Sequence, residues 1–321
     1  MRATRRWVVA AFLGLLAPLP AFPAPQFLGS WNMPPGGASL PGVPYCVAVG
    51  PDDHVYVTDQ SMDRVCKFTR TGTLVRMWGA SGSQPGNFEF PLGISVSPDG
   101  RVYVVDHALA RVQVFDGDGT LLFAFGTRGT GLGQLLYPRD VAVDFAGNVY
   151  VADHDNGRVQ KFTSDGAFLA SIGQGVLVGP VDLVVDPNGR LHVTDELRWN
   201  RILLFDPVGQ LLGTWGEPGS APGRFSGPGG ICRTSDGHFF VVDHRNSRVQ
   251  ELSGQGVFLS SWNTAEAGLP IGDVLDIAAH QDGGLVVTDA VGRRVLRFAH
   301  TPTSVTLSTW GAVKARFRGG R

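Results

Sequence analysis

The sequence is short of most features that point quickly to a chemistry. It has 3 cysteines and 17% charged residues, and neither sign dominates, with 27 Lys and Arg against 28 Asp and Glu. A nucleic-acid binder that works through phosphate contacts needs a basic surplus or a basic stripe. Only the tail from Lys314 to Arg321 is basic, and it reads either as a solvated end or as a contact to an anionic surface. Apolar residues at helical spacing are missing outside the N-terminus, which argues against helical and α/β architectures. No Ser-His-Asp order, metal-binding helix or phosphate cradle between strand and helix is present. The cysteines do not suggest a disulfide framework. Cys46 and Cys66 fall on strands separated by another strand, roughly 9 to 10 Å apart, and Cys232 lies on a distant repeat. Three buried free thiols are expected.

Long hydrophobic runs are also missing, with one exception. Arg2, Arg5 and Arg6 precede an apolar stretch from Trp7 to Ala17, followed by Pro18, Pro20 and small residues near Ala21 and Ala24. This pattern reads as a signal peptide over residues 1–24, with a twin-arginine variant of export as a second route. The prolines cut the run short of the roughly 20 residues a membrane span needs, so cleavage and export to the periplasm or the extracellular space are expected over an uncleaved anchor. Removing the three leader arginines from the 27 basic residues leaves 24 against 28 acidic.

What is present is a repeat. Asp59, Asp106, Asp153, Asp195, Asp243 and Asp289 each close an apolar strand, at intervals of 47, 47, 42, 48 and 46 residues. Each is followed, five or six residues later, by Arg64, Arg111, Arg158, Arg201, Arg248 or Arg294 opening the next strand. Each repeat contains four strand-like runs, with Asp-Gly or Asn-Gly at tight turns such as Asp99-Gly100, Asp165-Gly166 and Asn188-Gly189. Such a unit cannot bury both faces alone and must stack against copies of itself. The expectation is an all-β, six-bladed β-propeller of four-stranded antiparallel blades, forming one domain over residues 25–321. The Asp and Arg around each turn recur six times, so they are expected to pair as scaffold rather than to catalyse.

The segments Val149 to Phe162 (Val-Tyr-Val-Ala-Asp-His-Asp-Asn-Gly-Arg-Val-Gln-Lys-Phe), Val102 to Phe115 and Phe240 to Leu252 resemble the NHL repeat. The resemblance runs in register from about Phe27 onward and implies the propeller fold. It does not select a function, because NHL propellers include secreted lyases, sensor domains outside bacterial membranes and RNA-binding modules. The peptide-amidating lyases of this kind hold zinc on three histidines, each following a proline at the start of an inner strand. Here the residues after Pro44, Pro91, Pro138, Pro180 and Pro228 are Tyr45, Leu92, Arg139, Val181 and Gly229. That zinc site is absent.

Function is therefore sought where equivalent positions differ. Directly after the recurring aspartate stand Gln60, His107, His154, Glu196, His244 and Ala290. The candidate binding rim comprises Tyr45, Arg139, His107, His154, Glu196 and His244. Within it, His107, His154 and His244 are candidate ligands for zinc. Asp140, Asp182 and Asp276, one step into inner strands, are candidates for a hard cation such as calcium or for bonds to backbone amides. The expected function is an exported, monomeric binding module that takes a protein, peptide or small ligand at the rim. A metal-dependent lyase or lactonase is the alternative, and an RNA-binding propeller the third reading. The ring can close through Phe27 to Trp31 or through Val305 to Trp310, and the longer, proline-containing turn before the second favours the first.

Overall fold

In the computed structural model, the described residues are 24–36, 41–263 and 273–300. They form six four-stranded antiparallel sheets arranged as the blades of a propeller, five of them meanders of consecutive strands. The segment expected to be a leader, the basic tail and the strand candidate at Val305 to Trp310 lie outside the described residues. Among those described, no helix is long and apolar enough to cross a membrane.

The inner strands are Pro44–Val49, Pro91–Val96, Val141–Val143, Pro180–Val185, Pro228–Arg233 and Val274–Ala279. The second strands, such as Val149–Asp153, are buried along their whole length, because blades cover both of their faces. Outer strands such as Leu74–Trp78 are largely exposed. The core is accordingly a ring of layers between blades: Tyr103, Val105 and Val112 of blade two pack with Val141, Val149 and Phe162 of blade three. The tight hairpins use glycine where the backbone turns left-handed, with φ of 86° at Gly100 and 75° at Gly189, a region open to glycine without steric cost.

The ring closes through the N-terminus. Gln26–Asn32 pairs antiparallel with Arg294–Ala299 as the outer strand of blade six. Phe27 meets Phe298 at 5.7 Å between ring centroids, and Trp31 meets Phe68 of blade one at 5.7 Å. The first and last described strands are thereby joined in one sheet.

The recurring aspartates and arginines pair as scaffold. Arginine Nε donates to aspartate Oδ2 at 2.9 Å in blades one, two and six and at 2.7 Å in blades three and five. In blade four the turn is a residue longer and the Arg201–Asp195 separation widens to 3.5 Å. Two of the turns contain a single 3-10 turn, His154–Asn156 and His244–Asn246. All three cysteines are free and buried. Burial pushes their thiols up, that of Cys66 to about 12, which keeps them protonated and unreactive at neutral pH.

Candidate functional site

The starts of the inner strands and the turns after the second strands share one rim, and the axial channel opens beneath it. Tyr45 and Arg139 roof the channel: Arg139 Nη1 donates to the Tyr45 hydroxyl at 3.3 Å, and its Nη2 lies 3.8 Å from Glu196 Oε1. Blades one, three and four thus meet through one guanidinium, whose Nε is buried without a hydrogen-bond partner. Burial raises the Tyr45 phenol, only partly offset by Arg139, so the ring stays neutral.

The histidines divide. His107 Nδ1 donates to the Pro138 carbonyl at 3.0 Å, and its ring rests against Tyr137 at 5.2 Å. Burial lowers its pKa, and Arg139 and His154 nearby disfavour the cation further. His154 donates from Nδ1 to Asp155 at 2.6 Å, while its Nε2 is buried without a partner. At 6% exposed, His154 is a buried side chain rather than a surface one. His244 instead donates from Nε2 to Asp273, at the start of blade six. The structure brings Tyr45, Arg139, Glu196, His107 and His154 together and leaves His244 with its own carboxylate. Among the described residues, the group of His, Cys and carboxylate side chains whose ligand atoms all lie within 4.8 Å is not this histidine set but Asp236, His238 and His300, on the opposite rim.

Below Tyr45 and Arg139 the channel narrows to a neck of about 20 Å³, lined by Cys46, Asp140, Asp182 and Asp276 among others. That is room for a single water. Farther down it widens to about 220 Å³. The three aspartates stitch neighbouring blades: Leu183 N donates to Asp140 Oδ2 at 3.2 Å and Val47 N to Asp276 Oδ2 at 2.8 Å. Asp182 likewise takes the backbone amide of Ile231. Burial raises all three pKa values, and mutual repulsion adds to the rise of Asp140 and Asp182. At the matching place in blade two stands Gly93, where a Cβ would fall 2.4 Å from Asp140 Cα. Only glycine admits that approach.

Sequence reasoning missed the apolar part of the rim. Phe90 and Tyr137, each preceding the proline of an inner strand, have left-handed backbones with φ of 64° and 47°. They are 51% and 39% exposed, and Leu197 and Trp199 are exposed on the blade-four turn. A bulky residue in the left-handed region is uncommon and costs about 1 kcal/mol or more. The aromatic-Pro pairs in Phe90-Pro91 and Tyr137-Pro138 were the available signal.

Ring geometry and repeated turns together define a six-bladed β-propeller. Its blades two, three and five are NHL repeats: the NHL repeat family model matches residues 88–115, 135–162 and 225–252. A stretch of 77 residues is 38% identical to peptidyl-glycine alpha-amidating monooxygenase B of Xenopus laevis, covering 22% of this chain and 9% of that protein. The corresponding A form is 36% identical over 77 residues, 22% of this chain and 8% of its own length. The matched stretch is thus under a tenth of either relative. Among solved structures, a streptogramin B lyase superposes with a TM-score of 0.60 at 16% identity, covering 85% of this chain and 87% of that one. A gluconolactonase from Xanthomonas campestris gives 0.61 at 18%, covering 80% and 86%. A chain of a nidogen/laminin complex gives 0.58 at 18%, covering 74% and 84%. At these identities the likeness is one of fold.

Proposed function

We propose that this propeller is an exported binding module whose rim around Arg139 holds a peptide segment of a partner protein. The observation that carries the reading is the convergence of Arg139, Tyr45, Glu196, His107 and His154, from four blades, beside exposed Phe90, Tyr137, Leu197 and Trp199. A guanidinium on a side chain 28% exposed can pair with a carboxylate, and aromatic anchors in costly backbone conformations supply the apolar contact on which interfaces rest. The likeness to a chain of a nidogen/laminin complex supports a partner-binding use of the fold. Screening the mature protein against an array of acidic and apolar peptides, then titrating the best of them, tests the idea. Arg139→Ala and Trp199→Ala are each expected to weaken the best peptide by about 2 kcal/mol; unchanged affinity in both variants sinks the rim as the site.

A second reading is a propeller enzyme, favoured by the amidating monooxygenase match and by Asp182, a carboxyl lining the neck whose pKa burial raises well above the usual carboxylate range. The neck it lines, about 20 Å³, has room for a water but not for a substrate, and the lyase-type histidines are replaced. Turnover of a sugar lactone or of a peptide ending in α-hydroxyglycine, with and without added Zn²⁺, and lost in Asp182→Asn, would reverse the order of the two readings.

A further inference from the structure

On the rim opposite Arg139, a mixed cluster is built where blade five meets blade six. Asp236 and His238 stand on the hairpin between the first two strands of blade five, Glu251 on its third strand, and His300 just past the third strand of blade six. Asp236 Oδ2 is 3.5 Å from His300 Nε2 and 3.9 Å from His238 Nδ1. Glu251 Oε1 accepts from His238 Nδ1 at 2.7 Å and lies 4.0 Å from His300 Nε2. Outer partners orient both carboxylates: Ser260 Oγ donates to Glu251 Oε2 at 2.7 Å, and the Thr234 hydroxyl donates to Asp236. His300 is 8% exposed, and its Nε2 faces the two carboxylates without a hydrogen-bond partner. Such an orphaned buried nitrogen is costly unless something else occupies it.

The other blades show what belongs in this place. Aligning blade one on blade five puts Asp52, His54 and Lys67 where Asp236, His238 and Glu251 stand, and Gly117 of blade two where His300 stands. The Lys67 ammonium sits 3.2 Å from Asp52 and donates to the Gly117 carbonyl at 3.0 Å, joining the two blades. Blade three also has a lysine at this position, Lys161, over the Tyr150 ring. A side-chain cation occupies the position in both. In blade five a carboxylate replaces the lysine, and in blade six a histidine replaces the glycine.

We propose that Asp236, His238, Glu251 and His300 form a four-ligand site for a first-row divalent ion of the zinc type, which clips blade five to blade six. Tetrahedral bonds of about 2.0 to 2.2 Å space ligand atoms roughly 3.3 to 3.6 Å apart. The gaps of 3.5 to 4.0 Å contract slightly to meet this, and the His238–Glu251 hydrogen bond opens as the Nδ1 proton leaves. Two imidazoles with two carboxylates suit zinc, whereas calcium and magnesium take oxygen ligands. A cleft of about 470 Å³ against Asp236 and His238 admits the ion.

Calorimetric titration of the full, chelator-stripped chain with zinc chloride at about pH 7.5 tests the site. One ion per chain and a raised thermal midpoint are expected. His300→Ala and Glu251→Gln should each weaken binding by at least about 10- to 100-fold, the range that even an outer partner commands, while His107→Ala should leave it intact. Because truncation could unfold the chain, Glu251→Lys is the second variant. It copies blade one and is expected to fold with a thermal midpoint that zinc no longer moves. Zinc binding that survives Glu251→Lys, binding lost only in His107→Ala, or no stoichiometric binding at all would each overturn the proposal.

Discussion

Blades three and four match strand for strand, yet they are held by different means. In blade three, Asp153 accepts hydrogen bonds from Arg158, Gln160, Asn156 and the Leu136 amide, at 2.7 to 3.0 Å. Arg158 and Gln160 in turn grip the carbonyl of Gln134 in the connection that leads into the blade, and Gly133 N donates back to Gln160. In blade four, Leu203 stands in the place of Gln160, and Arg201 Nε and Asp195 Oδ2 both lack hydrogen-bond partners. Blades two and five follow blade three, with Gln113 and Gln250 gripping Asn87 and Arg224. Blades one and six have Cys66 and Leu296 there. The glutamine occurs where a long glycine-rich connection precedes the blade, and the three blades with both are those the family model matches. Clamp and connection therefore form one unit, because a loop with that many backbone amides and carbonyls needs side-chain partners when it packs against the sheet.

The comparison can be broken at several points. The largest effect is expected in blade six, whose outer strand comes from the other end of the chain. Deleting Gln26–Asn32 removes its pairing with Arg294–Ala299 and the burial of Phe27 and Trp31; Leu28, expected to be buried with them, is 46% exposed, so the burial is worth roughly 3 to 6 kcal/mol as an upper estimate. Thermal unfolding should lose its cooperativity, and deletion of residues 304–321 should be milder; the reverse ranking would show that blade six does not depend on this strand. Next, Asp153→Ala removes one partner of a buried charged pair and should cost about 3 to 5 kcal/mol, against about 1 kcal/mol for Asp195→Ala, whose hydrogen bonds are chiefly to the amides of Val178 and Gly179. Equal shifts in urea midpoint would mean the clamp adds nothing.

Blade four also carries His192 where blade three has Tyr150. Packed between Trp215 and Phe239, the imidazole has its pKa lowered by burial to about 4. The folded chain keeps it neutral while the unfolded chain protonates it near 6.5, so its contribution is complete above about pH 6.5 and is lost as pH falls towards 4, about 3 kcal/mol in all. His192→Tyr should flatten this part of the stability profile. Asp140, Asp182 and Asp276 act with the opposite sign, since carboxyls raised by burial lose their contribution as pH rises above about 3.9. Asp182→Asn should therefore steepen the acid-side loss, and an unchanged slope in both variants would remove these groups from the account. The smallest effect is expected at the rim, where Glu196→Ala should stay within about 0.5 kcal/mol in thermal denaturation. His154→Ala should exceed that, because His154 is buried; a larger loss at Glu196 than at His154 would make Glu196 structural.

The sequence by itself determined the period, the blade number, the aspartate–arginine turns and the free thiols. Those features rest on contiguous residues: strand alternation, Asp-Gly hairpins and a pair five residues apart make their contacts within one meander. It also held the material for choosing the N-terminal strand as the clasp, through the length of the competing turn. Only the tertiary structure decided which side chains meet across blades. Arg139 reaches Tyr45 and Glu196, His244 turns away to Asp273, and the axial aspartates, grouped by their equivalent places in the repeat, close on a neck too narrow for more than a water. His238 looks like an ordinary hairpin residue until blade six brings His300 beside Asp236. Closing a ring sets these distances by angle around the axis, and a side chain's angle depends on how every intervening blade packs against the next.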